Sequence, residues 1–284
     1  MRQFTQFKSQ HPGCVLFFRM GDFYELFGED AERVGPALGL AITDRGNGIA
    51  VAGVPHHQRD RYLQRAIDAG FRVAVVDQIE DPKEAKGVVA RAVTQVATPG
   101  TLVDESLLTD DATSAVAAAI EDAEGRAHAA IADLSTGSFT LWSGAAQELA
   151  DELSRGGARE LLHAEREDAG GPTAGLEHAA HRLSLATTPR PAWHFRSAEA
   201  LDVLCAAYGV ASLAGFGLSD DDPALPAAAA IVRYLRETQS IGAEPTSATS
   251  GAEFQRLRSS LAHLKPPKRE AAEGVCVLDA VSLR

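Results

Sequence analysis

Short apolar runs alternate with amphipathic stretches over the first hundred residues, and this alternation predicts a compact α/β unit. Apolar residues three or four positions apart indicate helices, whereas continuous β-branched and aromatic runs indicate buried strands. Gly46-Asn47-Gly48 has the composition of a tight turn and predicts a hairpin between its flanking strands. The predicted helices cover residues 2–11, 29–39 and 59–69, and the predicted strands cover residues 14–18, 41–45, 49–55, 71–78 and 88–98.

A second pattern follows, in which three strand-like runs come before any helix. The turn residues Glu124-Gly125 and Thr136-Gly137 predict an antiparallel meander over residues 115–120, 127–134 and 138–142. Strands followed by alternating helices predict a second mixed-sheet α/β domain. Its helices are predicted at 145–154, 198–208 and 226–238, its later strand at 160–163, and its loops and exit linker at 164–192, 240–252 and 265–274.

The stretch from Arg19 to Phe27 continues the first predicted strand. In an extended chain, side chains two positions apart share a face. Phe23 and Glu25 are therefore expected to project together at the end of the strand, with Tyr24 and Leu26 turned toward the core. Two interpretations remain open here. The pair is either an exposed aromatic and acid that bind a partner, or an ordinary core aromatic beside a solvated edge charge.

Length and composition are those of a globular protein with room for two ordinary domains in 284 residues. No apolar run approaches the roughly 18–20 residues that span a bilayer, and the first residues lack the apolar core of a signal peptide. The cysteines Cys14, Cys205 and Cys276 are far apart. Their spacing predicts neither a disulfide framework nor a zinc ribbon and favours a reducing cytosol.

The net charge of −12 is confined to one part of the chain. Residues 1–103 contain 12 basic and 12 acidic residues, whereas residues 104–284 contain 15 basic and 27 acidic ones. An acidic surface argues against contact with nucleic-acid phosphates. If the chain binds DNA, the first part is the better candidate, and the second part is expected to be a solvated connector or a protein-binding surface.

Candidate catalytic groups are few. None of the five lysines stands in the G-K-[ST] context of a phosphate-binding P-loop. His56 and His57 are adjacent, and no Cys or acid cluster completes a zinc site. Asp133 ends the middle strand of the meander, where ribonuclease-H-like nucleases hold a metal-binding carboxylate, but two-metal chemistry needs several converging carboxylates. The alternative interpretation is a turn-initiating Asp.

Seven short motifs stand in order along the chain: Phe18–Phe27, Ala52–His57, Gln78–Lys83, Ala85–Gly87, Ala97–Thr101, Asp133–Gly137 and Gly215–Leu218. Their order and spacing resemble the amino-terminal part of the MutS family of bacterial DNA mismatch-recognition proteins. The resemblance implies a mismatch-binding domain at 1–103, a ribonuclease-H-like connector domain at 104–264, and a linker with the start of the lever domain at 265–284. The family's remaining lever, clamp and ATPase domains have no counterpart here, so the chain is expected to be an amino-terminal fragment and not itself an enzyme.

The resemblance also implies roles for individual residues. Phe23 corresponds to the wedge that stacks on a mispaired base from the minor groove, and Glu25 corresponds to the acid that hydrogen-bonds the same base. For Arg19, a backbone contact and an ion pair with an acid are equal alternatives. Supporting DNA contacts are expected from Arg19, Gly21, Asp22, Arg45 and Val51.

The partners that the resemblance implies are double-stranded DNA with mismatches or small loops, a second copy of the full-length chain, and MutL. The second domain alone is an alternative candidate for the MutL docking surface. No cofactor is expected in this chain, because the family holds ATP and Mg in its ATPase domain. The expected location is the bacterial cytoplasm, associated with the nucleoid and not with a membrane.

The chain departs from the family pattern at three places. Gln95 stands near a position where the family commonly carries a basic residue, which puts one backbone contact in doubt. Val75-Val76-Asp77 replaces a cysteine-containing run, and the segment from Ser240 to His263 is longer and richer in alanine than expected.

Overall fold

Two six-stranded mixed sheets organise the chain. The computed structural model describes residues 2–44, 46, 48–80, 87–101, 115–166, 171–239 and 264–269. The first sheet is formed within residues 15–97 and the second within residues 115–269. The predicted fold class, two mixed-sheet α/β domains, is confirmed.

The first sheet has the strand order β3-β4-β2-β1-β5-β6, in which β1 and β5 are parallel and all other neighbours are antiparallel. Its helices are α1 (Arg2–Gln10), α2 (Glu29–Leu38) and α3 (Arg59–Asp68), and its strands are β1 (Val15–Met20), β2 (Phe23–Phe27), β3 (Ile42–Asp44), β4 (Ala50–Pro55), β5 (Val73–Gln78) and β6 (Arg91–Ala97). Helices α2 and α3 cover one face of the sheet with apolar side chains spaced three and four apart.

Helix α1 closes the opposite face, and a buried ion pair fastens it there. Phe4 and Phe7 pack against Phe18 of β1 with ring centroids 5.8 and 6.3 Å apart. Lys8 Nζ lies 2.5 Å from Asp30 Oδ1, and Asp30 Oδ2 accepts the backbone N–H of Leu16 at 3.1 Å. The Asp30 carboxylate is almost fully buried, and it is stable there because a cation and a backbone donor satisfy it.

The second sheet has the order β11-β10-β7-β8-β9-β12, with β7, β8 and β9 antiparallel and β10 and β11 parallel to β7. This is the arrangement expected of a ribonuclease-H-like domain. Its helices are α4 (Leu149–Arg155), α5 (Ala174–Leu183), α6 (Ser197–Tyr208) and α7 (Leu225–Gln239), and its strands are β7 (Ala115–Glu121), β8 (Arg126–Asp133), β9 (Ser138–Ala145), β10 (Ala158–Ala164), β11 (Ala186–Arg190) and β12 (Lys268–Arg269). Helices α6 and α7 cover one face, and α4 and α5 the other.

The prediction of a loop over residues 164–192 is wrong, because this stretch contains α5 and β11. Helix α5 buries only Leu176, Ala179 and Ala180, so its apolar face is narrow and easy to miss beside Gly and Pro. Two residues of the predicted exit linker, Lys268 and Arg269, pair with β9 as β12. The predicted loop over 240–252 lies outside the described residues.

The carboxylate of Glu160, on β10, joins the two domains. It is fully buried and accepts four hydrogen bonds, two on each oxygen. Oε2 accepts from the Thr98 hydroxyl at 2.6 Å and from the Gly100 backbone N–H at 3.1 Å. Oε1 accepts from the Thr188 hydroxyl at 2.6 Å and from the Tyr234 hydroxyl at 2.7 Å. One oxygen therefore binds the end of the first domain, and the other binds two elements of the second.

Close packing accompanies this joint. A Cβ at Gly100 would lie 2.9 Å from the Cβ of Val116 and 3.0 Å from that of Glu160, which is closer than ordinary van der Waals contact. At the surface, the Arg159 guanidinium also lies 3.4 Å from Asp68 Oδ1 across the two domains. Among the helices in the described ranges, none is long and apolar enough to cross a bilayer.

Replacing Glu160 by Gln is expected to lower the free energy of unfolding by about 1–3 kcal/mol. The amide nitrogen cannot accept a hydrogen bond, so buried donors from Thr98, Gly100, Thr188 or Tyr234 lose a partner. Urea denaturation followed by circular dichroism measures the change. Glu177→Gln, at an exposed acid in the first turn of α5, is the control and should stay within about 0.5 kcal/mol of the parent. Equal unfolding free energies for the two variants would contradict the assigned role.

Candidate nucleic-acid interface

The motif from Arg19 to Phe27 forms a hairpin, and the prediction of one continuous strand through it is wrong. Met20 pairs with Phe23 and Arg19 with Tyr24, so β1 and β2 are antiparallel neighbours joined by Gly21 and Asp22. Gly21 has φ +60°, the left-handed conformation that a two-residue turn requires and that glycine adopts without strain. The Gly-Asp pair is the sequence signal that indicates this turn.

The side chains of β2 alternate between the two faces as expected. Tyr24 and Leu26 are buried in the core under α2 and α3, which confirms their predicted direction. Phe23, beside the turn, is 46% exposed, and Glu25 is 9% exposed. The interpretation of Phe23 as a core aromatic and Glu25 as a solvated edge charge is therefore wrong for both residues.

Gly53 provides the surface on which the Phe23 ring lies. Phe23 pairs with Pro55 of β4, and Gly53 lies two residues along the same strand, opposite Glu25. A Cβ built on Gly53 would lie 3.4 Å from Phe23 Cδ1. Diagonal neighbours across two strands are within reach of an aromatic ring. A side chain larger than that of alanine at position 53 would therefore occupy the space in which the ring lies.

His56 holds the turn against the end of β4. Its backbone N–H donates to the Asp22 carbonyl at 2.9 Å, and its Nδ1 lies 3.3 Å from the same oxygen. The His57 ring is nearly perpendicular to it, with centroids 5.8 Å apart. Across the parts of the chain that the structure describes, no group of three or more His, Cys, Asp or Glu is placed to bind a metal ion. The contacts of His56 with the Asp22 carbonyl therefore position the turn.

A hydrogen-bond network supports the hairpin from below. The Tyr24 hydroxyl donates to Asp77 Oδ1 at 2.5 Å, and the Thr94 hydroxyl donates to Asp77 Oδ2 at 2.5 Å. Burial, and then the bond to Asp77, raise the pKa of Tyr24, so the hydroxyl stays a donor at neutral pH. The Arg19 guanidinium lies 5.3 Å from the Tyr24 ring centroid. The network connects β2 with β5 and β6.

Arg19 makes contacts within the hairpin and with Arg91 of β6. Its Nε donates to the Gly21 carbonyl, and its own carbonyl accepts from Arg91 Nε at 3.0 Å. Among the described residues it has no ion pair with an acid. Arg91 also lies over the Phe18 ring, 5.0 Å from the centroid. It is a positively charged neighbour of the hairpin that no motif in the sequence indicates.

The other residues that are predicted to contact DNA differ in how exposed they are. Gly21 and Asp22 are exposed at the turn, next to Phe23. Val51 is 6% exposed, packs in the layer beneath α1, and pairs with Phe27 of β2 and Thr43 of β3. Arg45 lies outside the described residues. Contact of these residues with DNA stays a prediction.

Family models match most of the chain. MutS domain I matches residues 1–106, and MutS domain II matches residues 114–250. The chain belongs to the MutS family. The resemblance recognised from the motifs is confirmed, and the hairpin with its supporting contacts falls entirely within the match to MutS domain I.

Two MutS relatives show the extent of the similarity. The DNA mismatch repair protein MutS of Rhodopirellula baltica is 42% identical over an alignment of 263 positions that covers 84% of this chain and 29% of the relative. The protein of the same name from Cereibacter sphaeroides is 39% identical over an alignment of 293 positions that covers 100% of this chain and 30% of the relative. The chain thus spans about three tenths of the length of these MutS proteins.

Asp133, in the match to MutS domain II, caps a turn. Its Oδ1 accepts from the backbone N–H and hydroxyl of Ser135 at 2.8 and 2.6 Å, and its Oδ2 accepts from the Thr136 hydroxyl at 2.8 Å. These contacts use both carboxylate oxygens. The geometry supports the interpretation of Asp133 as a turn-initiating residue.

Gly53→Val is expected to displace the aromatic ring at position 23, because the branched side chain would occupy the space on which the ring lies. The measurement uses a Phe23→Trp, Trp193→Phe background, so that position 23 carries an exposed indole. Acrylamide should then quench its fluorescence more strongly with Val at position 53. Gly53→Ala is the matched control and should change little, since its Cβ meets the ring at an ordinary contact distance. Equal quenching in all three proteins would contradict the assigned contact.

Proposed function

We propose that this chain recognises mismatched DNA in DNA mismatch repair, by inserting Phe23 at a mispaired base from the minor groove while Glu25 hydrogen-bonds that base. The observation that carries the proposal is the 46% exposure of Phe23 beside a glycine turn that His56 anchors. Its chain neighbour Tyr24 is buried and hydrogen-bonded to Asp77. An exposed aromatic on such a constrained hairpin loses little conformational entropy on binding.

The energetics of insertion explain how such a wedge discriminates without reading sequence. Bending a duplex site costs on the order of 1–6 kcal/mol, and stacking a base on an aromatic ring returns about 1–3 kcal/mol. These terms nearly balance at a matched step. A mispaired step has already lost part of its pairing and stacking, so opening it costs less. The balance therefore favours insertion at the mispaired step.

Glu25 adds selectivity of a different kind. On β2, it pairs with Phe18 of β1 on one side and with Gly53 of β4 on the other. A carboxylate on a DNA-binding face repels phosphates and gains a favourable contact only when a displaced base reaches it. In the proposed mechanism, the acid therefore weakens binding to duplex that does not kink.

The first domain alone offers little electrostatic attraction to DNA, since residues 1–103 carry equal numbers of basic and acidic residues. Phosphate contacts dominate nucleic-acid affinity, so the isolated chain is expected to bind weakly. In our proposal, dimerisation, ATP with Mg, and binding of MutL belong to a full-length assembly in which this chain supplies the mismatch-binding and connector domains. The domain limits 1–103, 104–264 and 265–284 remain part of the same proposal.

Phe23→Ala is expected to abolish the preference for mismatched over matched duplex, because the hairpin then loses its exposed aromatic ring for stacking on the base. Fluorescence anisotropy at low salt, where phosphate contacts are strongest, measures both affinities. The measurement is made with the chain itself and with a full-length relative that carries it as a chimera. Trp193→Ala is the matched control, since Trp193 in the second domain is 47% exposed, and it should keep the preference. A preference retained by Phe23→Ala in the chimera would overturn the wedge assignment.

Glu25→Gln is expected to tighten binding to matched duplex by about threefold to tenfold, the equivalent of about 1 kcal/mol of removed repulsion. The same anisotropy assay measures it. Glu32→Gln, at an exposed acid on α2, removes the same charge away from the hairpin and should change matched-duplex affinity much less. Unchanged affinity in Glu25→Gln would eliminate the repulsion argument.

A further inference from the structure

A cavity of about 730 Å³ lies between the two domains, and none of the hairpin residues from Arg19 to Phe27 lines it. Its first wall comes from the segments that precede β1 and β5, and its second from β11 and α7. The charged side chains that line it are Arg33, Arg72, Arg190, Glu165 and Glu237. Its volume is within the range of cavities that bind small organic molecules.

Two guanidinium groups share the Tyr234 ring at this cavity. The guanidinium carbon of Arg72, from the first domain, lies 5.8 Å from the ring centroid, and that of Arg190, from the second, lies 5.3 Å from it. The Nε atoms of both arginines are buried and have no hydrogen-bond partner among the described residues. Arg190 forms an ion pair with Glu237, whereas Arg72 has no carboxylate within 4 Å in the described part of the chain.

Three further neighbours of Arg72, which are Cys14, His11 and Tyr234, carry no charge that could pair with it. The Cys14 thiol contacts the guanidinium, and burial raises the pKa of Cys14, so the thiol stays neutral. Burial and then Arg72 lower the pKa of His11, which keeps this imidazole neutral as well. Tyr234 is fully buried and burial raises its pKa well above the ordinary value. The nearest acid that acts on Arg72 is the buried carboxylate of Glu160, which attracts the guanidinium without forming an ion pair with it. A partly buried arginine that forms no ion pair among the described residues is unusual, because buried charges in proteins are normally paired.

We infer that this interdomain cavity binds a small phosphate monoester, whose phosphate oxygens accept hydrogen bonds from Arg72 and Arg190. Planar guanidinium groups match phosphate oxygens geometrically. Arg72 would supply the charge that no ion pair offsets, and Arg190, whose charge Glu237 offsets, would supply further N–H donors. Gly13 lies beside the guanidinium, since a Cβ there would meet a terminal nitrogen of Arg72 at the ordinary contact distance of 3.4 Å. Phe71 and Pro191 supply apolar wall for the organic part. Because the ligand would contact both domains, it would also hold them in one orientation.

Isothermal titration calorimetry of the 284-residue chain with phenyl phosphate tests the inference. Inorganic phosphate is the second probe, and sodium chloride at equal ionic strength is the blank. Saturable binding of phenyl phosphate, tighter than that of inorganic phosphate, is expected because only the ester fills the apolar wall. No heat above that of the chloride blank would overturn the inference.

Variants assign the binding to the cavity. Arg72→Met should weaken phenyl phosphate binding at least tenfold, and Arg72→Lys, which keeps the charge but not the fork, should weaken it less. Arg126→Met, at an exposed arginine of β8 outside the cavity, is the control and should bind as the parent does. Circular dichroism verifies that each variant is folded. If Arg72→Met does not fold, Arg72→Lys serves as the test. Parental affinity in the folded Arg72 variant would overturn the inference.

Two further measurements distinguish a phosphate monoester in the cavity from DNA bound at the wedge or in the cavity itself. Phe23→Ala should leave phenyl phosphate binding unchanged, because Phe23 does not line the cavity. The proposal for the cavity and the proposal for the wedge are therefore tested independently. A matched duplex without terminal phosphates should not displace phenyl phosphate. Displacement by that duplex would identify the DNA backbone as the occupant and overturn the small-ligand inference.

Discussion

The buried carboxylate of Glu160 constrains the arrangement of both sheets. Taking a carboxylate out of water costs several kcal/mol unless hydrogen bonds replace its hydration, and here four donors do so from Thr98, Gly100, Thr188 and Tyr234. The donors come from both domains, so the carboxylate is satisfied only when the domains meet in one geometry. The close approach at Gly100 and the complete burial of Tyr234 both follow from that requirement.

The first sheet connects the exposed hairpin to the contact that Glu160 makes between the two domains. Strand β6 leads directly to Thr98, and its Thr94 shares Asp77 with Tyr24 beneath the hairpin. Phe23 stands next to Tyr24, and its ring rests on Gly53 of the neighbouring strand. Each step is a short hydrogen bond or a packed contact. The position of the aromatic tip is therefore defined relative to Glu160 without a flexible connection between them.

Periodicity predicted most helices and strands because their apolar faces are wide, as in the first-domain sheet and the long helix α7. It missed α5, which buries three small or medium residues, and it missed the turn at Gly21 because apolar residues continue on both sides. The motif singled out Phe23 and Glu25. The motif Ala52–His57 contains Gly53 and His56 but does not reveal their contacts, which depend on strand register. Arg72 belongs to no motif, and its contacts depend on domain packing. Glu160 is equally hidden, since its hydroxyl donors stand 28, 62 and 74 positions away in the chain.

The chemistry of the joint has a consequence for how the two domains can be separated. A cut between residues 101 and 115 would leave the second domain with a carboxylate that has lost the Thr98 and Gly100 donors. The cut would also expose the packed surface around Val116. The second domain is thus an incomplete unit by itself. The segment from Thr98 to Thr101 supplies the hydrogen-bond donors and the packing that it would lack. Recombination between relatives would preserve both domains best where this segment and Glu160 are inherited together.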